Sequence, residues 1–379
     1  METKGSPPRP TPSASTWTPM KAIFSPLFPT DYTGSEAYES DQRLMRNSWQ
    51  FAAMTDDLRQ ENDFVTLSVG GVPVTVRNAK GRIRAFRNVC AHRQSLIDLE
   101  PHGNGPLRCR FHGWVYNTDG VPVGIPENAS SFGLERPERE RMRLDEFAVE
   151  IVGRLVFLNI GTSPNPLDLG PYRQLVESAS AAMTEPLGNR PFEWAYNWKL
   201  GVENVVELYH AAATHPDTFR VFNNPFDRFS QYGDHSWACG TLTEKGHEWW
   251  SKIIRRVKIT PASGFSAIDH IHIFPNTEIF IYNGCYFSIQ RYEPLAINRT
   301  RLNQRLFRVP VPNATGVMQA TVTGMDEMLR AFNVTINEED GSMLERVQIG
   351  LAGATNPSIL GWTEQRVIHF HNSYLAARG

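Results

Sequence analysis

The sequence predicts an α+β protein with a small antiparallel β domain first and a larger domain of antiparallel sheet and helices after it. Three observations lead there. Residues from about Ser48 to Gly161 run as short β-rich segments, a Pro-rich stretch from Ser163 to Tyr172 interrupts them, and helical and strand-like runs then alternate to the C-terminus. The expected divisions are an arm over 1–47, flexible at its start, a β domain over 48–161 and a second domain over 162–379. A chain of 379 residues suits two such domains.

Met1 to about Pro19 is dense in Pro, Ser and Thr and has too little apolar surface to offset the entropy of ordering, so it reads as a flexible arm. In the first domain, Phe64 to Val69, then Gly70 and Gly71, then Val72 to Val76 read as two strands joined by a tight hairpin. In the second, helices are expected over about Tyr172 to Thr184, Lys199 to Ala213 and Glu338 to Leu351. Strands are expected over about Ala267 to Phe274, Glu278 to Arg291 and Arg301 to Arg308. No run approaches the roughly 18 apolar residues of a spanning helix.

The composition is that of an ordinary globular enzyme, with 41% hydrophobic and 21% charged residues and a formal net charge of −2. Such a chain offers no basic field for nucleic acid. Four unevenly spaced cysteines do not make a disulfide framework and point to a reducing compartment, so a cytoplasmic protein is expected.

Two motifs carry chemistry. Cys90 and His92, then sixteen residues, then Cys109 and His112 form two short hooks, each offering one thiolate and one imidazole. Two thiolates and two imidazoles suit either zinc or a [2Fe–2S] cluster with two Cys on one iron and two His on the other. A zinc finger would put a helix beside the second pair, whereas Arg110 to Gly120 has strand residues and ends in an Asp-Gly turn. Further on, Glu203, Glu207 and His210 fall at i, i+4 and i+7 and share a face of the expected helix. His215 precedes Pro216, which ends the helix and lets the imidazole swing back toward His210. A second metal site with two His and one carboxylate would leave positions open for O₂. Asp340 is the best third ligand, at the start of a helix that Asn337 can cap, with Glu338, Glu339 and Asp326 as rivals. His270 with His272, and His369 with His371, each read as one face of a strand. With no carboxylate at a recognisable spacing, both pairs are taken as packing or surface histidines.

The segments Asn88 to Arg93 and Cys109 to Trp114 resemble the two cluster loops of the Rieske non-heme iron oxygenases. The resemblance implies a [2Fe–2S] Rieske cluster on Cys90, His92, Cys109 and His112, and a mononuclear Fe(II) on His210, His215 and Asp340. Asp340 is followed eight residues on by Gln348, as in that family. It also implies that Glu207 bridges His112 of one subunit to His210 of the next in a homotrimer, with Glu in place of the Asp of aromatic-ring dioxygenases, as in the quaternary-amine monooxygenases. By matched position Asn204 would lie beside the iron, and Phe332 and Ile336 would face the cavity. The implied activity is that of a terminal oxygenase which takes electrons from a separate reductase or ferredoxin to hydroxylate or dealkylate a small organic substrate. The alternatives are a cis-dihydroxylating dioxygenase and, in another class, a Rieske electron carrier or zinc-stabilised binding protein.

Overall fold

The computed structural model describes residues 15–16, 21–265 and 267–378, arranged as two compact units, residues 41–167 and residues 1–40 with 168–379. Apart from 15–16, the arm expected over Met1 to Pro19 lies outside the described residues.

In the first unit, seven strands form an antiparallel sheet: β1 (Gln50–Met54), β2 (Asp63–Val69), β3 (Val72–Ala79), β4 (Arg82–Arg87), β5 (His102–Asn104), β8 (Glu146–Val152) and β9 (Leu155–Asn159). Their order is β1-β9-β8-β4-β3-β2-β5. Two short strands, β6 (Val115–Tyr116) and β7 (Pro122–Gly124), pair separately. The hairpin at Gly70-Gly71 pairs Val69 with Val72, and both glycines have positive φ, which a side chain would oppose. Val74, Val76, Ala85, Val156 and Leu158 bury one core. A second core, of Phe86, Ile97, Leu107, Trp114, Tyr116 and Leu144, takes in Cys90 and Cys109. The Cys/His loops therefore stand on packed side chains.

In the second unit, seven strands follow: β10 (Glu185–Trp194), β11 (Asn223–Tyr232), β12 (His235–Leu242), β13 (Ile268–Ile273), β14 (Thr277–Tyr282), β15 (Tyr286–Ala296) and β16 (Arg299–Arg308). They form one antiparallel sheet in the order β11 to β16 and then β10, with Ser15–Thr16 pairing on β11. Four helices matter for the site: α1 (Trp198–Val206), α2 (Glu244–Val257), α3 (Gly316–Gly353) and α4 (Gln365–Ala377). Among the described residues, none of the helices is long and apolar enough to cross a membrane.

Strand β13 is buried along its whole length and β14 nearly so, which leaves their polar side chains no water to turn to. His272 Nδ1 lies 2.8 Å from Glu278 Oε1, and His270 Nε2 lies 3.1 Å from Glu278 Oε2. Arg366 of α4 donates to His270 Nδ1 at 2.8 Å. The expectation of packing or surface histidines without a carboxylate is corrected here. Glu278 faces His272 across the strand pair, and all four side chains of the network are fully buried. His369 and His371 lie on α4 rather than on a strand.

The expected late helices also differ. The one expected from Glu338 is the C-terminal part of α3, a helix of 38 residues, so Asp340 is mid-helix and Asn337 caps nothing. Helix α3 packs on β10 at Gly341, where a Cβ would come within 2.5–2.7 Å of the Trp194 indole.

Candidate metal centres

The two Cys/His loops are built alike. Cys90 N–H donates to the Ser95 carbonyl at 2.8 Å and Gln94 N–H to the Cys90 carbonyl at 2.9 Å. In the second loop Cys109 N–H donates to the Trp114 carbonyl at 2.9 Å and Gly113 N–H to the Cys109 carbonyl at 3.0 Å. Gln94 and Gly113, each four residues past its cysteine, both take positive φ. Asn88 closes the base of the first loop, accepting from Ile97 N–H at 3.2 Å and Asp98 N–H at 2.9 Å and donating to the Asp98 carbonyl at 2.8 Å. Asp98 accepts from Thr75 Oγ1 at 2.7 Å and pairs with buried Arg77.

Both cysteines are buried and free. Burial pushes the Cys90 thiol up, against a hydrogen bond with Tyr116 Oη 3.0 Å away, and neighbouring Cys109 adds to the rise. A metal is what would favour thiolates here. The rings of His92 and His112 lie 4.5 Å apart, and His92 stacks on Trp114 at 5.0 Å with planes 3° apart. Burial, then His112 and Arg93, lowers the His92 pKa. Its Nδ1 is buried without a hydrogen-bond partner among the described residues, as a metal donor would be. One tetrahedral zinc would draw all four donors to within roughly 4 Å of one another. A two-iron cluster instead takes the two thiolates on one iron and the two imidazoles on the other.

The second centre begins where α1 ends. Asn197 caps the helix, its Oδ1 accepting from Lys199 N–H at 3.1 Å. The helix stops at Val206, so the expected single helical face through Glu207 and His210 is corrected: Glu207 has extended backbone, φ −123° and ψ 170°. Its carboxylate turns back to accept the N–H of Tyr209 and, at 3.2 Å, that of His210. Arg366 donates to the freed Val206 carbonyl at 2.8 Å. A single turn, Ala211–Thr214, then ends at His215.

This chain path brings His210, His215 and Asp340 together, with one donor atom from each lying within 4.8 Å of the others. His215 Nε2 is 2.9 Å and His210 Nε2 3.6 Å from Asp340 Oδ1. Behind each imidazole stands a carboxylate: His210 Nδ1 lies 2.5 Å from Glu207 Oε1, and His215 Nδ1 lies 2.6 Å from Glu339 Oε2. Glu339 also accepts from Thr218 Oγ1 at 2.8 Å. Carboxylates at Nδ1 fix the ring orientation and leave both Nε2 atoms for a metal. Burial alone would lower both imidazoles, but Glu207 and then Asp340 hold His210 above its ordinary pKa, as Asp340 and then Glu339 hold His215. The same field favours a bound cation.

Asn204 and Ile336 line a cavity with these three residues. Phe332 lines an adjoining cavity, as do Trp249-Trp250 and Tyr286-Phe287, runs that sequence alone leaves open between site and core. Of the rival ligands, Glu339 stands behind His215, and Asp326 is taken up by Arg308 and Tyr286. Glu339's part was missed, because a run of three acidic residues does not say which one points where.

Residues 48–147 match the family model for the Rieske [2Fe-2S] domain, and residues 182–378, just over half of the chain, match that for the ring hydroxylating alpha subunit catalytic domain. The chain is 28% identical to the carnitine monooxygenase oxygenase subunit of Escherichia coli strain K12 over 380 residues, 90% of each chain. It is also 28% identical to the glycine betaine monooxygenase oxygenase subunit of Pseudomonas aeruginosa over 201 residues, but that match spans 50% of this chain and only 44% of the relative's length. A crystal structure of a quaternary ammonium Rieske monooxygenase superposes with a TM-score of 0.77 at 18% identity, over 94% of this chain and 95% of that one, a likeness of fold. The two cavity-side histidines with Asp340, the paired Cys/His loops and both family matches agree: the protein belongs to the ring hydroxylating alpha subunit family, the Rieske non-heme iron oxygenases, whose cofactors are a Rieske [2Fe–2S] cluster and a mononuclear iron.

Proposed function

We propose that this chain is the terminal oxygenase subunit of a multicomponent monooxygenase that hydroxylates or oxidatively dealkylates a small organic substrate with O₂. The observation that carries the reading is the convergence of His210, His215 and Asp340 at the wall of a cavity, each imidazole backed by its own carboxylate. In this reading residues 48–161 form the Rieske domain, where Cys90, Cys109, His92 and His112 hold the cluster, and residues 162–379 form the catalytic domain. When bound, the cluster passes electrons singly and the iron activates O₂. Glu207 orients His210 and offers its charge toward the His112 imidazole of a neighbouring subunit, in a homotrimer fed by a separate reductase or ferredoxin. Asn204 sits beside the metal ligands as a positioning residue. Four unevenly spaced cysteines, which do not make a disulfide framework, support a cytoplasmic setting. Likeness to the carnitine and glycine betaine subunits supports insertion of one oxygen rather than two.

The test uses ¹⁸O₂ with the loaded protein and a reductase. One labelled oxygen per product molecule is expected, and two would move the protein to the cis-dihydroxylating dioxygenases. In parallel, Asp340→Ala should lose the mononuclear iron while keeping the visible absorption of the cluster. Zinc without acid-labile sulfide in the wild type would remove the oxygenase reading altogether.

A further inference from the structure

The metal cavity and the aromatic cavity beside it meet at Tyr282, the last residue of β14, which lines both. Tyr282 pairs across the hairpin with Tyr286, the first residue of β15. Directly opposed side chains of an antiparallel pair stand side by side on one face of the sheet. From Tyr286 the line continues onto α2, with ring centroids 5.9 Å apart for Tyr286 and Trp250 and 4.8 Å for Trp250 and Trp249. Tyr286 and Trp250 are buried and Trp249 is half-buried, so the line runs from the wall of the metal cavity out to solvent.

Phe222 and Phe332 pack on the same wall, but a benzene ring gives up an electron far less readily than a phenol or an indole. The oxidisable rings are the ones that make the line. Tyr286 also has a proton acceptor: its hydroxyl donates to Asp326 Oδ1 at 3.2 Å, and Arg308 holds the other carboxylate oxygen at 3.1 Å. A phenol is oxidised most easily when its proton leaves with its electron, and a hydrogen-bonded carboxylate can receive it. Tyr292, also on the wall of the metal cavity, donates instead to the Gln290 amide oxygen at 3.2 Å, a far weaker base.

We propose that Tyr286, Trp250 and Trp249 form a protective electron line that quenches the metal site when activated oxygen finds no substrate bond to oxidise. Tyr286 gives one electron inward past the Tyr282 ring to the oxidant at the metal site and its phenol proton to Asp326. The tyrosyl radical then takes an electron from Trp250 and its proton back from Asp326. Trp249 refills Trp250, and a thiol or ascorbate in solvent refills Trp249. One electron moves inward per pass, and no bond of the protein is broken except the O–H that re-forms. The proposal rests on the oxygenase reading, which supplies the oxidant.

The test adds hydrogen peroxide to the resting, metal-loaded protein without substrate or reductase, so that no turnover is read. Freeze-quenched samples are followed by electron paramagnetic resonance, and oxidised residues are mapped by peptide mass spectrometry. The wild type should show tyrosyl and then tryptophanyl radicals and carry added oxygen first at Trp249, and ascorbate should suppress both. Asp340→Ala, without the mononuclear iron, should show neither. In Trp249→Phe the added oxygen should move to Trp250. In Tyr286→Phe the tryptophanyl signal should be lost, and oxidation should fall on His210 and His215 with loss of their iron. Trp249→Phe keeps a ring on a half-buried helix face, so its arm stands even where Tyr286→Phe lowers the unfolding temperature. Oxidation confined to His210, Tyr282 or buried Cys285 in the wild type would overturn the proposal, as would equal tryptophan oxidation in Asp340→Ala or no radical at all. If the radicals appear as expected but no ¹⁸O enters any product, the oxygenase reading falls and the electron line stands. If ¹⁸O enters the product and the radicals are absent, the line alone falls.

Discussion

Glu207 concentrates several roles in one side chain: it caps the turn that follows α1, orients His210 through Nδ1, and in the proposed assembly faces the next subunit. Glu207→Gln keeps the shape and removes the charge. Both metals should still load, and a single-turnover experiment with pre-reduced protein should show cluster oxidation and product formation slowed about 10–100-fold together. Wild-type rates would reduce Glu207 to a turn-forming carboxylate. At this scale the sequence is most legible, because ligand chemistry is local. Cys90, His92, Cys109 and His112 stand in two short hooks, and the spacing of His210, His215 and Pro216 already implies convergence. The partners of those ligands are less legible. Glu339 lies 124 residues from His215, and no spacing rule links them.

At the scale of elements, the hairpin at Gly70-Gly71 and the strands around it follow from alternation and turn chemistry. The break after Val206 does not. Val205, Val206 and Leu208 continue a helical pattern, and what ends the helix is a carboxylate that caps the next turn and an arginine 160 residues away that takes the freed carbonyl. Helix α3 was legible only in part, because its apolar stripe is interrupted by Asn333, Asn337 and Asp340, three polar residues among those it presents to the cavities. Its seat on β10 depends on Gly341, beside Asp340. In Gly341→Ala the added methyl has no room against Trp194, and overpacking of this kind costs about 1–3 kcal/mol. The expected result is a lower unfolding temperature together with reduced mononuclear iron, with cluster absorption unchanged. Full iron content would mean that α3 can shift without carrying its carboxylate along.

For the whole molecule, the buried network of His270, His272, Glu278 and Arg366 ties stability to pH. Burial, then the nearby Arg366 charge, depresses His270 to about 4 and His272 to about 3, while burial raises Glu278 to about 7. Below the ordinary histidine pKa of about 6.5 the unfolded chain binds two protons that the folded one refuses, which costs stability as pH falls. Between about 7 and the ordinary carboxylate value of about 4.5, folded Glu278 binds one proton that the unfolded chain does not, which offsets half of that loss. The network's own contribution to the unfolding free energy should therefore fall from pH 6.5 to 4.5 with a slope near one proton, about 1.4 kcal/mol per pH unit, and in urea unfolding Glu278→Gln should fall more steeply than the wild type by about one further proton. An unchanged slope in the variant would show that Glu278 is ionised throughout. None of this was legible in the sequence, where His270 and His272 stand 94 or more residues from Arg366 and only strand pairing brings Glu278 alongside. The aromatic stack in the first unit has an optical consequence. Trp114 lies parallel to the His92 ring at 5.0 Å, so a metal centre held by that imidazole is within contact range for quenching the indole's emission. Cluster assembly and loss can then be followed in the native chain by fluorescence, without a label and without reference to turnover.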